Sequence, residues 1–178
     1  MLKRIVLNLE VLEGMLYFWQ ATKDKEKVGE AYIMSISGKD AMKEVYDSEF
    51  GMESVRVVLS AISNRELLNS TNKKERRFWN NNMWMLEDMT LMQQMIAPLK
   101  KLNLDNIAKE INESKADFPY EEIEIVFFPG HMDANKIENN KLYLNFFLVK
   151  PDLFNEEVVL FEDKEVKDYI KNLILSMN

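Results

Sequence analysis

The chain has 178 residues, no cysteine, one histidine and a net charge of −7. That length supports a single buried core without a staple, and the missing cysteines exclude disulfides, thiolate zinc sites and a cysteine nucleophile. The lone histidine excludes centres built from two or three imidazoles, so a metal would need mostly carboxylate ligands, and the acidity favours a basic partner over nucleic acid or anionic lipid.

Leu2, Ile5, Val6, Leu9, Leu12 and Leu16 recur at helical spacing, which predicts a helix over residues 2–22. Ile5, Leu7, Leu9 and Val11 also alternate, as a strand would, and the leucine and glutamate content tips the choice to helix. Glu10 and Glu13 interrupt this apolar start and no small-residue cleavage site follows, so no targeting segment is expected. No apolar run reaches the ~18 residues of a membrane span, and the absence of cysteine is compatible with a cytoplasmic protein. Further helices are predicted over 26–37, stopped by Gly38, over 40–46, and over 52–64, where Met52, Val55, Leu59 and Ile62 share a side.

"NSTNKKERR" leads into the longest predicted helix, with Phe78, Met85, Met89, Met92 and Ile96 on its apolar face and Pro98 ending or kinking it. Its methionine density over 78–97 marks it as central to the core or as part of an interface, including one between two copies of the chain. Lys73, Lys74, Arg76 and Arg77 adjoin Phe78, Trp79 and Trp84, a combination that can hold phosphates and stack bases of single-stranded nucleic acid. The overall acidity argues against that use of Lys73–Arg77. Asp105 is a candidate cap for a short helix over 105–112.

The pattern changes after residue 115. "EEIEIVFF" and "KLYLNFFLV" alternate, and "EVVLF" is a third strand candidate. Residues 163–177 form an amphipathic helix, with Val166, Ile170, Leu173 and Met177 facing in. The predicted class is α+β, in one domain of 178 residues: a helix-rich part, 1–115, then a strand-rich part, 116–178. The latter is expected to hold a small antiparallel sheet, a β-hairpin plus a third strand, and the C-terminal helix.

Asn139-Asn140 suits the tight turn of that hairpin, because asparagine tolerates positive φ. The resulting register sets Ile137 against Leu142, Asn135 against Leu144, Asp133 against Phe146 and His131 against Leu148. The first arm is then one long strand over 122–138, bulged at Pro129-Gly130. His131, Asp133 and Asn135 would share one strand face. A histidine beside a carboxylate can act as general acid or base, which makes His131 and Asp133 the candidate catalytic residues. Glu121, Glu122 and Glu124 form an exposed acidic patch, in which Glu122 and Glu124 share a strand face and would repel each other without a cation or a basic partner. With Asn135 they are the candidate binding surface.

The chain has no phosphate loop, no Gly-x-Ser-x-Gly elbow, no Rossmann glycine pattern and no His-Glu-x-x-His helix, so no cofactor is expected. The favoured function is a small acidic protein-interaction module, a binder, inhibitor or immunity-type protein with a basic protein partner. A metal-assisted hydrolase centred on His131 and Asp133 is the alternative, and single-stranded nucleic-acid contact through Lys73–Arg77 the third.

Overall fold

In the computed structural model, which describes residues 1–131 and 133–177, the helix expected over 2–22 is two elements, β1 (Arg4–Asn8) and α1 (Glu10–Lys23). The strand wins at the start because β2 (Glu122–Phe128) lies alongside in parallel, pairing Arg4 with Glu122 through to Asn8 with Val126. Asn8 turns the chain between them by accepting the Glu10 amide at 3.0 Å. α1 then buries Val11, Leu12, Met15, Phe18 and Trp19, one stripe at helical period.

The helical part continues with α2 (Glu30–Ser37), α3 (Asp40–Lys43), α4 (Met52–Ser63), α5 (Lys73–Glu87), α6 (Met89–Lys100) and α7 (Asp105–Ser114). The single long helix expected here breaks at Asp88. Its backbone leaves helical geometry (φ −131°, ψ 79°) and its carboxylate accepts the Leu91 amide at 2.9 Å, capping α6. Pro98 lies within α6 and does not end it. Met85, Met92 and Met95 are core residues, whereas Met83 and Met89 are only partly covered.

α1 and α4 end alike. Lys25 and Arg65 take left-handed φ values of 64° and 56°, and the amides of Glu26 and Glu66 reach back to the carbonyls of Ala21 and Ala61, both at 2.8 Å. These are Schellman closures, whose left-handed position glycine fills without a Cβ penalty. Lys25→Gly and Arg65→Gly should therefore each raise the unfolding free energy by about 1 kcal/mol, read from urea midpoints at constant slope.

The strand-rich part confirms the α+β class and shows a mixed sheet. Its strand order is β1-β2-β4-β3, with β3 (Asn135–Glu138) and β4 (Lys141–Asn145) forming the hairpin. The turn residue Asn139 has φ 52°, and the expected pairs Ile137–Leu142 and Asn135–Leu144 are present. β2 is central, parallel to β1 on one side and to β4 on the other. Such a strand is covered on both faces, which explains the run "IVFF" at its end, all buried.

The long bulged arm over 122–138 does not form. β2 and β3 flank opposite edges of β4, and the expected pairs Asp133–Phe146 and His131–Leu148 are absent. Phe146–Leu148 is a 3₁₀ turn instead. The chain then enters a small antiparallel sheet of β5 (Val149–Pro151), β6 (Val159–Phe161) and β7 (Lys164–Glu165), with "VLF" as its middle strand. α8 (Val166–Ser176) closes the fold with Val166, Tyr169, Ile170 and Ile174 inward, while Leu173 is only partly covered.

One cluster of buried side chains runs from Leu2 to Met177 through both the helix-rich and strand-rich parts. Val126, Phe128 and Tyr143 form a second, smaller cluster with Ala41 and Val45. The chain between α3 and α4 thus lies close to where β2 ends.

Candidate functional site

The site at this end of the sheet is built around Gly130. Its amide donates to Asn145 Oδ1 at 3.0 Å, and a Cβ there would stand 2.5 Å from the Phe128 ring and 2.8 Å from Asn145 Cγ. Only glycine lets the chain pass so close to β4. The turn delivers His131 inward, where its ring stacks on Phe50 with centroids 4.1 Å apart. His131 Nε2 lies 3.2 Å from Asp47 Oδ2. The same carboxylate accepts Lys74 Nζ at 2.8 Å and the amides of Glu49 and Phe50 at 2.8 and 2.9 Å. Lys74 is set in place by Asn72, whose side chain caps α5 through the Lys74 and Glu75 amides.

The electrostatics fix the protonation states. Burial pushes the Asp47 carboxyl up, but hydrogen bonds from Lys74, the Glu49 amide and His131 outweigh it and hold the group well below the usual carboxylate range. Burial pushes the His131 imidazole below its ordinary value, and the hydrogen bond to Asp47 only partly opposes that. A neutral imidazole facing an ionised carboxylate must carry its hydrogen on Nε2 and donate it to Asp47. Nδ1 then keeps the lone pair, and it is buried with no partner among the described residues. The nitrogen able to accept a proton is therefore shut inside the protein.

A folded pKa below the unfolded one means stability that is present above about 6.5 and declines as pH falls through that value. Unfolding free energy should thus drop as pH falls below about 6.5, and His131→Phe, which keeps the stack on Phe50, should flatten that segment of the curve. Urea midpoints across the pH range would check this, and an unchanged slope in the variant would count against it.

His131 and Asp133 line one cavity of about 200 Å³ with Glu44, Tyr46, Asp47 and Lys136. Asp133 is exposed, and the carboxylate that orients His131 is Asp47, 84 residues away in sequence. Asn135 lines the same cavity but donates its amide to Tyr169 of α8 at 2.6 Å. The expected trio lines one cavity but shares no strand face, since only Asn135 lies in a strand; His131 is held by Asp47 and Asn135 by Tyr169. Among the described residues no group of three or more histidine, aspartate and glutamate side chains is placed to hold a metal ion, and no helix is long and apolar enough to cross a membrane.

The acidic cluster is answered by local cations. Lys3 pairs with Glu121 at 2.9 Å and Arg4 with Glu122, as the parallel register of β1 and β2 requires. Burial pushes Glu124 up, but Asn8 (2.8 Å) and Lys141 (3.0 Å) hold its carboxyl below the ordinary range. Of the basic run, Lys74 is engaged by Asp47. Trp79 is half-buried, Trp84 exposed and Phe78 in the core.

The β5–β6 loop, residues 152–158, holds a feature that periodicity does not reveal. Leu153 and Phe154 are 92% and 98% exposed, next to Asp152, Glu156 and Glu157. The loop is ordered from within. Asp152 accepts the Phe154 amide at 2.8 Å, Asn155 accepts the Glu157 amide at 3.0 Å, and the Asp152 amide reaches the Val158 carbonyl at 3.2 Å. Its sequence signal is a Leu-Phe pair inside "PDLFNEE", where every neighbour favours a turn or solvent. Comparison of the chain with family models, with curated proteins and with solved structures gave no match.

Proposed function

We propose that the protein is an acidic interaction module, a binder or inhibitor of the immunity type, which presents the 152–157 tip to a protein with an apolar, basic-rimmed pocket. The observation that carries this is the adjacent Leu153-Phe154 pair, almost wholly in water on an internally hydrogen-bonded loop. Single exposed apolar residues are ordinary, but a leucine and a phenylalanine side by side on a preordered tip form an anchor whose ordering entropy is already lost. The net charge of −7 steers such an anchor toward basic surfaces. Glu121, Glu122 and Glu124 join as a secondary acidic surface, weaker because each faces a lysine or an arginine. A cysteine-free chain suits the reducing cytoplasm, where we place the complex. Hydrolysis centred on His131 and Asp133 is disfavoured, since the proton-accepting nitrogen is buried.

The test is a pull-down from source-cell lysate with tagged wild type and a Leu153→Ser/Phe154→Ser double variant. A stoichiometric partner should be retained by the wild type, released as salt rises, and lost in the variant. Equal retention by both chains would sink the proposal.

A further inference from the structure

The ends of α1, α4 and α5 enclose a groove of about 520 Å³ with Ile62, Leu67, Trp79, Met83 and Leu86 on its walls. That volume lies in the range of sites that enclose a small ligand or a pair of large side chains. Leu67 stands 90% exposed at its lip. Lys23, Lys25 and Arg65 outnumber Glu66 and Glu87 around it, and Arg76 lines the adjoining depression that shares Leu67 and Trp79. In a chain of net charge −7, none of these four cations lies within 4 Å of a carboxylate among the described residues. Asp152, Glu156 and Glu157 of the tip likewise have no cation there. Two polar atoms in the groove wall, Thr22 Oγ1 and Trp79 Nε1, are buried without a partner among the described residues.

We propose that the groove receives the 152–157 tip of a second copy of the chain. This rests on the tip being the binding element; the attraction is local, between the tip and the groove rim, because two whole copies of net charge −7 repel at long range. Two bulky apolar side chains flanked by carboxylates that face no cation fit, in size and in sign, an apolar groove flanked by Lys23, Lys25, Arg65 and Arg76, of which Lys23 and Arg76 donate to the Leu86 and Ser70 carbonyls. The tip does not occupy the groove of its own chain, because Leu153 and Phe154 are in solvent. Each chain therefore presents both halves of the contact. In a two-fold dimer the contact is made twice, the tip of each copy in the groove of the other.

Sedimentation equilibrium over a wide concentration range tests this with wild type, Phe154→Asp and Leu67→Asp. Both substitutions fall on exposed side chains, and circular dichroism verifies that the variants fold. The wild type should dimerise and each variant alone should be monomeric. Mixing the two variants should restore a weaker dimer, since the intact tip of one meets the intact groove of the other. Arg65→Gly, expected to stabilise the fold, should weaken self-association by about tenfold, a combination that misfolding cannot produce. A wild type that stays monomeric throughout would overturn the second copy as partner. Tip-dependent capture of a different protein from lysate would then leave the tip itself as the binding element. A dimer that persists in both variants places the interface elsewhere and overturns the proposal as well.

Discussion

Asn82→Leu should lower the unfolding free energy by about 3 kcal/mol, more than any surface substitution in this chain. Asn82 is wholly buried on α5, where its Oδ1 accepts Trp19 Nε1 at 2.9 Å and its Nδ2 donates to the Phe78 carbonyl at 2.8 Å. Trp19, equally buried on α1, has a donor-only indole nitrogen, so Asn82 is what makes a tryptophan tolerable at the centre of this core. Leucine keeps the branched shape but is bulkier than asparagine and removes the acceptor, leaving an N–H unpaired in apolar surroundings at ~1–3 kcal/mol, with a further ~1 kcal/mol of overpacking. Trp19→Phe in the Asn82→Leu background removes the orphaned donor. The two changes should therefore be sub-additive, with a coupling of about 2 kcal/mol in a double-mutant cycle. A single-variant loss below ~1 kcal/mol would mean that water reaches the indole and that the pair is not sealed.

What the sequence disclosed follows from the range over which each interaction acts. The Asn139-Asn140 hairpin was legible because its turn chemistry and its two arms lie within a dozen positions, and the local pairs Ile137–Leu142 and Asn135–Leu144 follow from it. β1 was not, because the partner that makes it a strand lies 118 positions away at Glu122, and five residues alone read as the start of a helix. The same distance hid the meaning of the glutamates. Their repulsion along the strand is real in isolation, and Lys3 and Arg4 cancel it only once the parallel register is known. His131 could be picked out as the lone imidazole, whereas Asp47 sits in an unremarked polar stretch and becomes its partner only because residues 44–50 fold over the end of β2. The break at Asp88 was invisible for the opposite reason. The apolar phase continues on both sides, so a single capping aspartate decides between one helix and two.

Periodicity is blind to the tip by construction, since it detects apolar residues that share a buried face and Leu153 and Phe154 share none. Their effect should be large on binding and negligible on folding. Phe154→Ala should weaken the tip's complex by about 30-fold, near 2 kcal/mol, as expected of an aromatic anchor. It should leave the unfolding midpoint unmoved, because a side chain 98% in solvent stabilises nothing in the free chain. Asp152 separates anchoring from preorganisation. Asp152→Ala keeps both apolar side chains but removes the acceptor for the Phe154 amide, so the loop must be ordered on binding and affinity should fall by several-fold. Asp152→Asn retains the side-chain acceptor and loses only the charge, so it should recover most of that loss, in full at high salt where the charge is screened. Titration of the three variants against the captured partner, by calorimetry at two salt concentrations, resolves the two contributions. If Asp152→Ala binds as tightly as wild type, the order of the loop is irrelevant to recognition. Loss from Phe154→Ala would then reflect the side chain alone.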